Sequence, residues 1–182
     1  MKVIIVTGTP GTGKTTLAKN SAFGLNFLYL DVNRLISKSK LSEGYDKKRK
    51  TRIVDVDKLR KFLIFKIKNF QNENNKKKNS QRKFFGIIID SHLSHYLPNK
   101  YVDLCIVTKC DIKELSKRLK KKRFHKEKIK ENMQAEIFGI CHNEALERKH
   151  NVIVIDTSKS KNLTGKNFNS IAVKIFHRLK QN

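Results

Sequence analysis

Apolar residues come in short blocks separated by longer stretches in which they recur every three or four positions. Val3 to Val6 is apolar throughout, as a strand covered on both faces requires. Similar runs follow at Leu25 to Leu30, ending in Asp31, at Phe84 to Asp90, at Val102 to Thr108 and at Val152 to Asp156. A helix is predicted to open near Gly13, and a weak one lies around Arg34 to Ser39. From Asp55 onward, Leu59, Phe62, Leu63, Ile67 and Phe70 share one helical face. Asp111 and Glu114 form a D-x-x-E cap for a helix running through Leu119. One longer helix is predicted from about Lys126 to Arg148, with Ile129, Met133, Ile137, Ile140 and Ala145 inward. A last helix, about Phe168 to Leu179, uses Ile171, Ile175, Phe176 and Leu179. Two stretches lack either pattern. "SEGYDKKRKTR" reads as a polar loop, and Asn69 to Lys83 as an exposed, mobile insertion too polar to offset the cost of ordering. Buried strands alternating with amphipathic helices specify a single three-layer α/β domain over residues 1–182, with a five-stranded parallel sheet and its ligand site at the carboxyl ends of the strands.

At that end of the first strand stands "GTPGTGKT", Gly8 to Thr15, a complete G-x-x-x-x-G-K-[ST] phosphate-binding loop between a buried strand and a helix. Glycines let the main-chain amides turn inward around an anion, and the positive end of the helix adds to the attraction. Lys14 supplies a point charge for the β- and γ-phosphates, and the Thr15 hydroxyl is a ligand for Mg²⁺. A carboxylate at the end of another buried strand is needed beside that metal, and Asp90 of "GIIIDSH" fills the requirement. His92 and His95 follow at i+2 and i+5. His92 is assigned to orienting water or a metal ligand, His95 to the surface.

Composition adds a partner class. The 182 residues carry 41 Lys+Arg against 16 Asp+Glu, a formal net charge of +25, which attracts polyanions such as RNA. Cys105, Cys110 and Cys141 have no C-x-x-C spacing and read as small packed side chains in a reducing compartment. No apolar run is long enough to span a bilayer, so no membrane association is expected, and the first strand starts where a leader would stand. The compartment expected is cytoplasmic, with the nucleus added in a eukaryote.

Taken together, "GTPGTGKTT", "EGYDKKRKTRIVDVDKL", "DSHLS", "CDIKELSKRLKKK" and "KIKENMQAEI" resemble, in order and spacing, the adenylate kinases of the CINAP type, found in archaea and in eukaryotic nuclei. The resemblance implies a P-loop nucleotide-kinase core with a short monophosphate-binding arm, about 31–54, and a short lid, about 122–132. It also implies phosphoryl transfer from ATP to AMP with Mg²⁺, an accompanying ATPase activity, and a role in small ribosomal subunit maturation and rRNA processing through a ribosomal protein and its RNA. By the same likeness Gly11, Gly13, Lys14, Thr15 and Thr16 hold the ATP phosphates, while Asp90 and His92 form the metal and water element. At the lid the family has Arg-Gly-aromatic where this chain reads Lys122-Arg123-Phe124, so either Lys122 or Arg123 meets ATP, with Arg118 and Lys130 further candidates. The acceptor's phosphate has three possible partners in Arg34, Lys38 and Arg49, of which Arg34 matches the family best.

Two other functions share these residues. One is an ATP-switched ribosome assembly factor with little kinase activity, the other a P-loop kinase of a different small metabolite. ADP formation with and without AMP separates them.

Overall fold

The computed structural model describes residues 1–39, 41–46, 51–77, 83–159 and 166–181. Five parallel strands form the central sheet: β1 (Lys2–Thr7), β2 (Phe27–Asp31), β5 (Gly86–Asp90), β6 (Leu104–Lys109) and β7 (Val152–Asp156). Their spatial order is β2-β5-β1-β6-β7. All five predicted runs therefore became strands. Because side chains alternate across a strand, an all-apolar run feeds two cores. Ile4, Val6, Ile88, Leu104 and Ile106 pack beneath α1 (Lys14–Gly24) and α7 (Lys166–Lys180). Val3, Ile5, Ile87, Ile89, Cys105 and Val107 meet α3 (Val56–Lys76) on the opposite face. In this register Val6 and Asp31 both stand opposite Asp90, so three strand ends converge beside the phosphate loop.

The remaining elements correct the expectations. The stretch taken as a loop holds an antiparallel pair, β3 (Ser42–Asp46) and β4 (Thr51–Val54), after the short helix α2 (Val32–Lys38). Tyr45, Thr51, Ile53 and Val54 are good strand formers, and their signal is masked by the basic residues between them. The segment read as a mobile insertion is helical for its first half, since α3 continues to Lys76. Asn74 anchors that extension: its amide donates to the Phe84 carbonyl at 2.9 Å and its oxygen accepts from the Phe84 N–H at 3.0 Å. Residues 78–82 of the predicted insertion lie outside the described residues.

The predicted 126–148 helix is two helices, α5 (Lys126–Ile137) and α6 (Ile140–Glu147), broken at Gly139 with φ 61°. The break turns the apolar face away, leaving Ile137 61 % and Ile140 42 % exposed while polar Asn132 and Glu136 face inward. Glu136 is buried because its carboxylate accepts the Cys110 N–H at 2.8 Å. The Asp111 cap holds for α4 (Ile112–Lys121), although Glu114 turns to Arg118 and the Asp111 N–H donates to Ser158. On α7, Phe168 joins Ile171, Ile175 and Leu179 inward, and Phe176 faces out. Among the described residues no helix is long and apolar enough to cross a membrane.

Candidate phosphate-binding cleft

A cleft of about 770 Å³ lies over the carboxyl ends of β1 and β5. Its floor is the Gly8–Thr15 turn. Gly8 has φ 138°, and a Cβ there would sit 2.4 Å from the Thr108 hydroxyl, so β6 presses against the turn and only glycine fits. Gly13 caps α1 with φ 89°, aiming the first amides of the helix at the cleft. Gly11, Thr15 and Thr16 also line it. Beneath, Thr12 bonds the Thr9 carbonyl at 2.7 Å and the Thr108 hydroxyl at 2.6 Å. Thr157, just beyond β7, donates to the Thr12 carbonyl. The loop is thus held from below in the shape a phosphate needs.

Lys14 donates from Nζ to the Thr9 carbonyl at 2.9 Å. Enclosure of its ammonium pulls the pKa down to about 8, against partial support from Cys141 and Asp90. A phosphate would restore the charge. Thr15 Oγ1 donates to Asp90 Oδ2 at 2.6 Å, and Asp90 is 3 % exposed. These two expected magnesium ligands are therefore in contact. A second donor to the same oxygen, the Tyr29 hydroxyl at 2.9 Å, was not foreseen. Burial, and then the Asp90 charge, push the phenol's pKa up, so it remains a donor. Its signal was available: Tyr29 stands two positions before Asp31 in a strand that must flank Asp90. A hydroxyl and one carboxylate suit Mg²⁺, which is held by few protein oxygens together with substrate phosphates.

His92 lines the cleft with its imidazole accessible. The surrounding walls and then Lys14, His95 and Lys128 lower its pKa, so the ring is neutral at pH 7. His95, expected at the surface, is 1 % exposed. Sequence spacing could not show that it turns back beneath β1.

On the opposite wall Arg118 lines the cleft with its Nε and one terminal nitrogen engaged. Its Nε bonds Glu114 at 2.8 Å, and a terminal nitrogen reaches the carbonyls of Thr157 and Ser158 at 2.7 and 3.0 Å. That fixes the guanidinium plane. Lys122 lines the cleft, whereas Arg123 does not. Arg123 instead occupies the turn between α4 and α5 with φ 58°, a conformation that glycine takes without strain. Of the two cations expected at the lid, Lys122 is the one that lines the cleft, joined by the unforeseen Lys121, and Phe124 completes the wall. Lys130 is exposed on α5 outside the lining. Arg34 and Lys38 are exposed on α2, also outside it; from that helix Asn33 reaches the cleft. Arg49 lies outside the described residues.

Comparison with known proteins finds relatives along most of the chain. A family model described as an AAA domain matches residues 4–139. The adenylate kinase isoenzyme 6 homolog of Schizosaccharomyces pombe is 35 % identical over 153 residues, 84 % of this chain and 79 % of the relative. The homolog of the same name from Dictyostelium discoideum is 31 % identical over 169 residues, covering 91 % and 87 %. Among solved structures, a sugar kinase from Janibacter superposes with a TM-score of 0.56 at 16 % identity, covering 94 % of this chain and 92 % of that one. At that identity the likeness concerns the fold alone. With a complete phosphate loop and relatives aligned over most of their length, the chain belongs to the adenylate kinase isoenzyme 6 (CINAP-type) family of P-loop proteins.

Proposed function

We propose that this protein is an adenylate kinase that transfers the terminal phosphoryl group of ATP to AMP. The observation that carries the reading is the Thr15–Asp90 contact at 2.6 Å at the mouth of a complete phosphate loop. The loop amides grip the β-phosphate while Lys14 leaves the Thr9 carbonyl for the β- and γ-oxygens. Thr15 and Asp90, the latter fixed by Tyr29, would hold Mg²⁺, which when bound neutralises charge on the phosphates. Lys121 and Lys122 supply cations from the other side. Phe124 and the locked plane of Arg118 offer flat surfaces for the adenine. The acceptor needs no protein base, since a nucleoside monophosphate is mostly dianionic at pH 7, its second pKa being about 6. A neutral His92 can orient the acceptor, or, with no acceptor bound, take a proton from water and give slow hydrolysis.

The test is ADP formation by purified protein with Mg²⁺ and ATP, alone and with each monophosphate in turn. Stimulation by AMP supports the kinase; indifference to every monophosphate rejects it in favour of an ATP-switched factor.

A second role, in small ribosomal subunit maturation through rRNA and a ribosomal protein, is favoured by one surface. Lys113, Lys117 and Lys120 are exposed along α4, and no described carboxylate pairs with them. Such a stripe suits a phosphate backbone, because each neutralised phosphate releases counterions. Titrating a short RNA at several salt concentrations checks it: affinity independent of salt would remove the reading.

A further inference from the structure

His95 is a buried, ionisable group for which the phosphate cleft has no use. It lies on the short 3-10 turn Ser94–Tyr96, and both ring nitrogens are engaged. Nδ1 is 2.7 Å from Thr7 Oγ1, and Nε2 is 2.7 Å from Glu144 Oε2 on α6. A carboxylate can only accept, so Nε2 carries the proton and Nδ1 offers its lone pair to the Thr7 hydroxyl. Burial pushes the pKa of the ring below the ordinary histidine value, which preserves this neutral tautomer. The residue is also held from behind, because His150 Nε2 donates to its carbonyl at 2.9 Å. Arg148 stacks on Tyr96 at 4.2 Å and bonds the Glu144 carbonyl at 3.1 Å, which steadies the acidic end.

Thr7 is the last residue of β1, directly before Gly8. Its hydroxyl oxygen also lies 3.4 Å from the carbonyl of His92. A hydroxyl has one proton to give. The imidazole takes it at the shorter distance, and that bond ties the turn Ser94–Tyr96, which follows His92 closely in the chain, to the end of β1. A hydroxyl, an imidazole and a carboxylate in a row resemble a nucleophilic triad, but Thr7 is fully buried and does not line the cleft. The arrangement can hold atoms in place without itself meeting substrate.

We propose that the Thr7–His95–Glu144 chain is a positioning device that pins the turn after β5 to the end of β1 and so keeps His92 in register with Lys14 and the phosphate loop. This rests on the kinase reading above. The test uses the full chain with Thr7→Val, His95→Gln, His95→Asn and the Thr7→Val/His95→Gln double variant. Gln keeps a donor toward Glu144 and withdraws the acceptor from Thr7; Asn restores an acceptor where Nδ1 stood. The kcat for AMP-dependent ADP formation is expected to fall on the order of tenfold or more in Thr7→Val and His95→Gln. KM for ATP should stay within about twofold. Asn should recover most of the loss, and the double variant should be no worse than the poorer single one. A fall in Tm and active fraction with kcat per bound nucleotide unchanged overturns the proposal, as do multiplying losses. The imidazole ¹⁵N spectrum of the unaltered protein is an independent check: protonated Nε2 and bare Nδ1 are expected, and the opposite tautomer refutes the chain. Should the unaltered protein show no AMP-stimulated turnover, the kinase reading fails. The His92 ring signals then decide this inference, shifting in Thr7→Val if the chain holds that residue and staying in place if it does not.

Discussion

Beneath the phosphate loop, Thr7, Thr9, Thr12, Thr108 and Thr157 are each 2 % exposed or less, and the hydroxyls of Thr7, Thr12, Thr108 and Thr157 are bonded to one another, to the backbone or to His95. Across the cleft, Lys121, Lys122 and Arg123 are exposed, and no described carboxylate pairs with them. The floor is braced because these buried hydroxyls have partners that a shift would break. The rim keeps its cations in water, where screening leaves each worth little until a polyanion arrives. Shape is stored on one side and charge on the other.

Changes to the floor should therefore be severe and changes to the rim mild, and the first tests press on that contrast. Lys14→Met removes the one cation in the floor and should lower turnover by about a thousandfold or more while the fold persists. Retained ADP formation would overturn the assignment of the loop. Gly8→Ala drives a methyl group into Thr108 at a positive φ, and a loss of about 2–3 kcal/mol in denaturant unfolding is expected. An unchanged midpoint would mean that β6 does not press on the loop. Tyr29→Phe deletes a donor to Asp90 and should reduce kcat on the order of fivefold to tenfold. If Mg²⁺ dependence and kcat both stay as they were, the hydroxyl does not orient the carboxylate.

The pH test follows from Lys14, whose folded pKa of about 8 lies below the ordinary lysine value of 10.5. Between those values the unfolded chain binds more protons than the folded one, so stability of the free protein should rise with pH through that window. Bound triphosphate favours the charged form, so ATP binding should take up protons near pH 8 and weaken as pH rises past it. Calorimetry in two buffers of different ionisation enthalpy reads the uptake, and equal observed heats in the two buffers contradict it. The smallest effect is expected at the rim: Arg123→Gly relieves the φ of 58° and should stabilise by about 1 kcal/mol with kcat unchanged. A large drop in kcat would give Arg123 the role assigned here to Lys122.

The same contrast explains what could be read from sequence. Strands covered on both faces announce themselves as unbroken apolar runs, so β1, β2, β5, β6 and β7 were all legible, and the glycine spacing marked the loop. The α5–α6 break was hidden because Gly139 is one residue in an otherwise continuous helical pattern. His95 was misplaced for a different reason. Its partners Thr7 and Glu144 are 88 and 49 positions away, and no local pattern encodes such pairing. Tyr29 lay between these extremes, since its site could be derived once β2 was known to border β5.

Thr157 touches the Thr12 carbonyl across a separation of 145 residues. On a ribosome the phosphate loop is therefore made 145 residues ahead of the hydroxyl that braces it. Tight nucleotide capture should wait until β7 and Thr157 have been made, and a chain stalled before β7 should lack it.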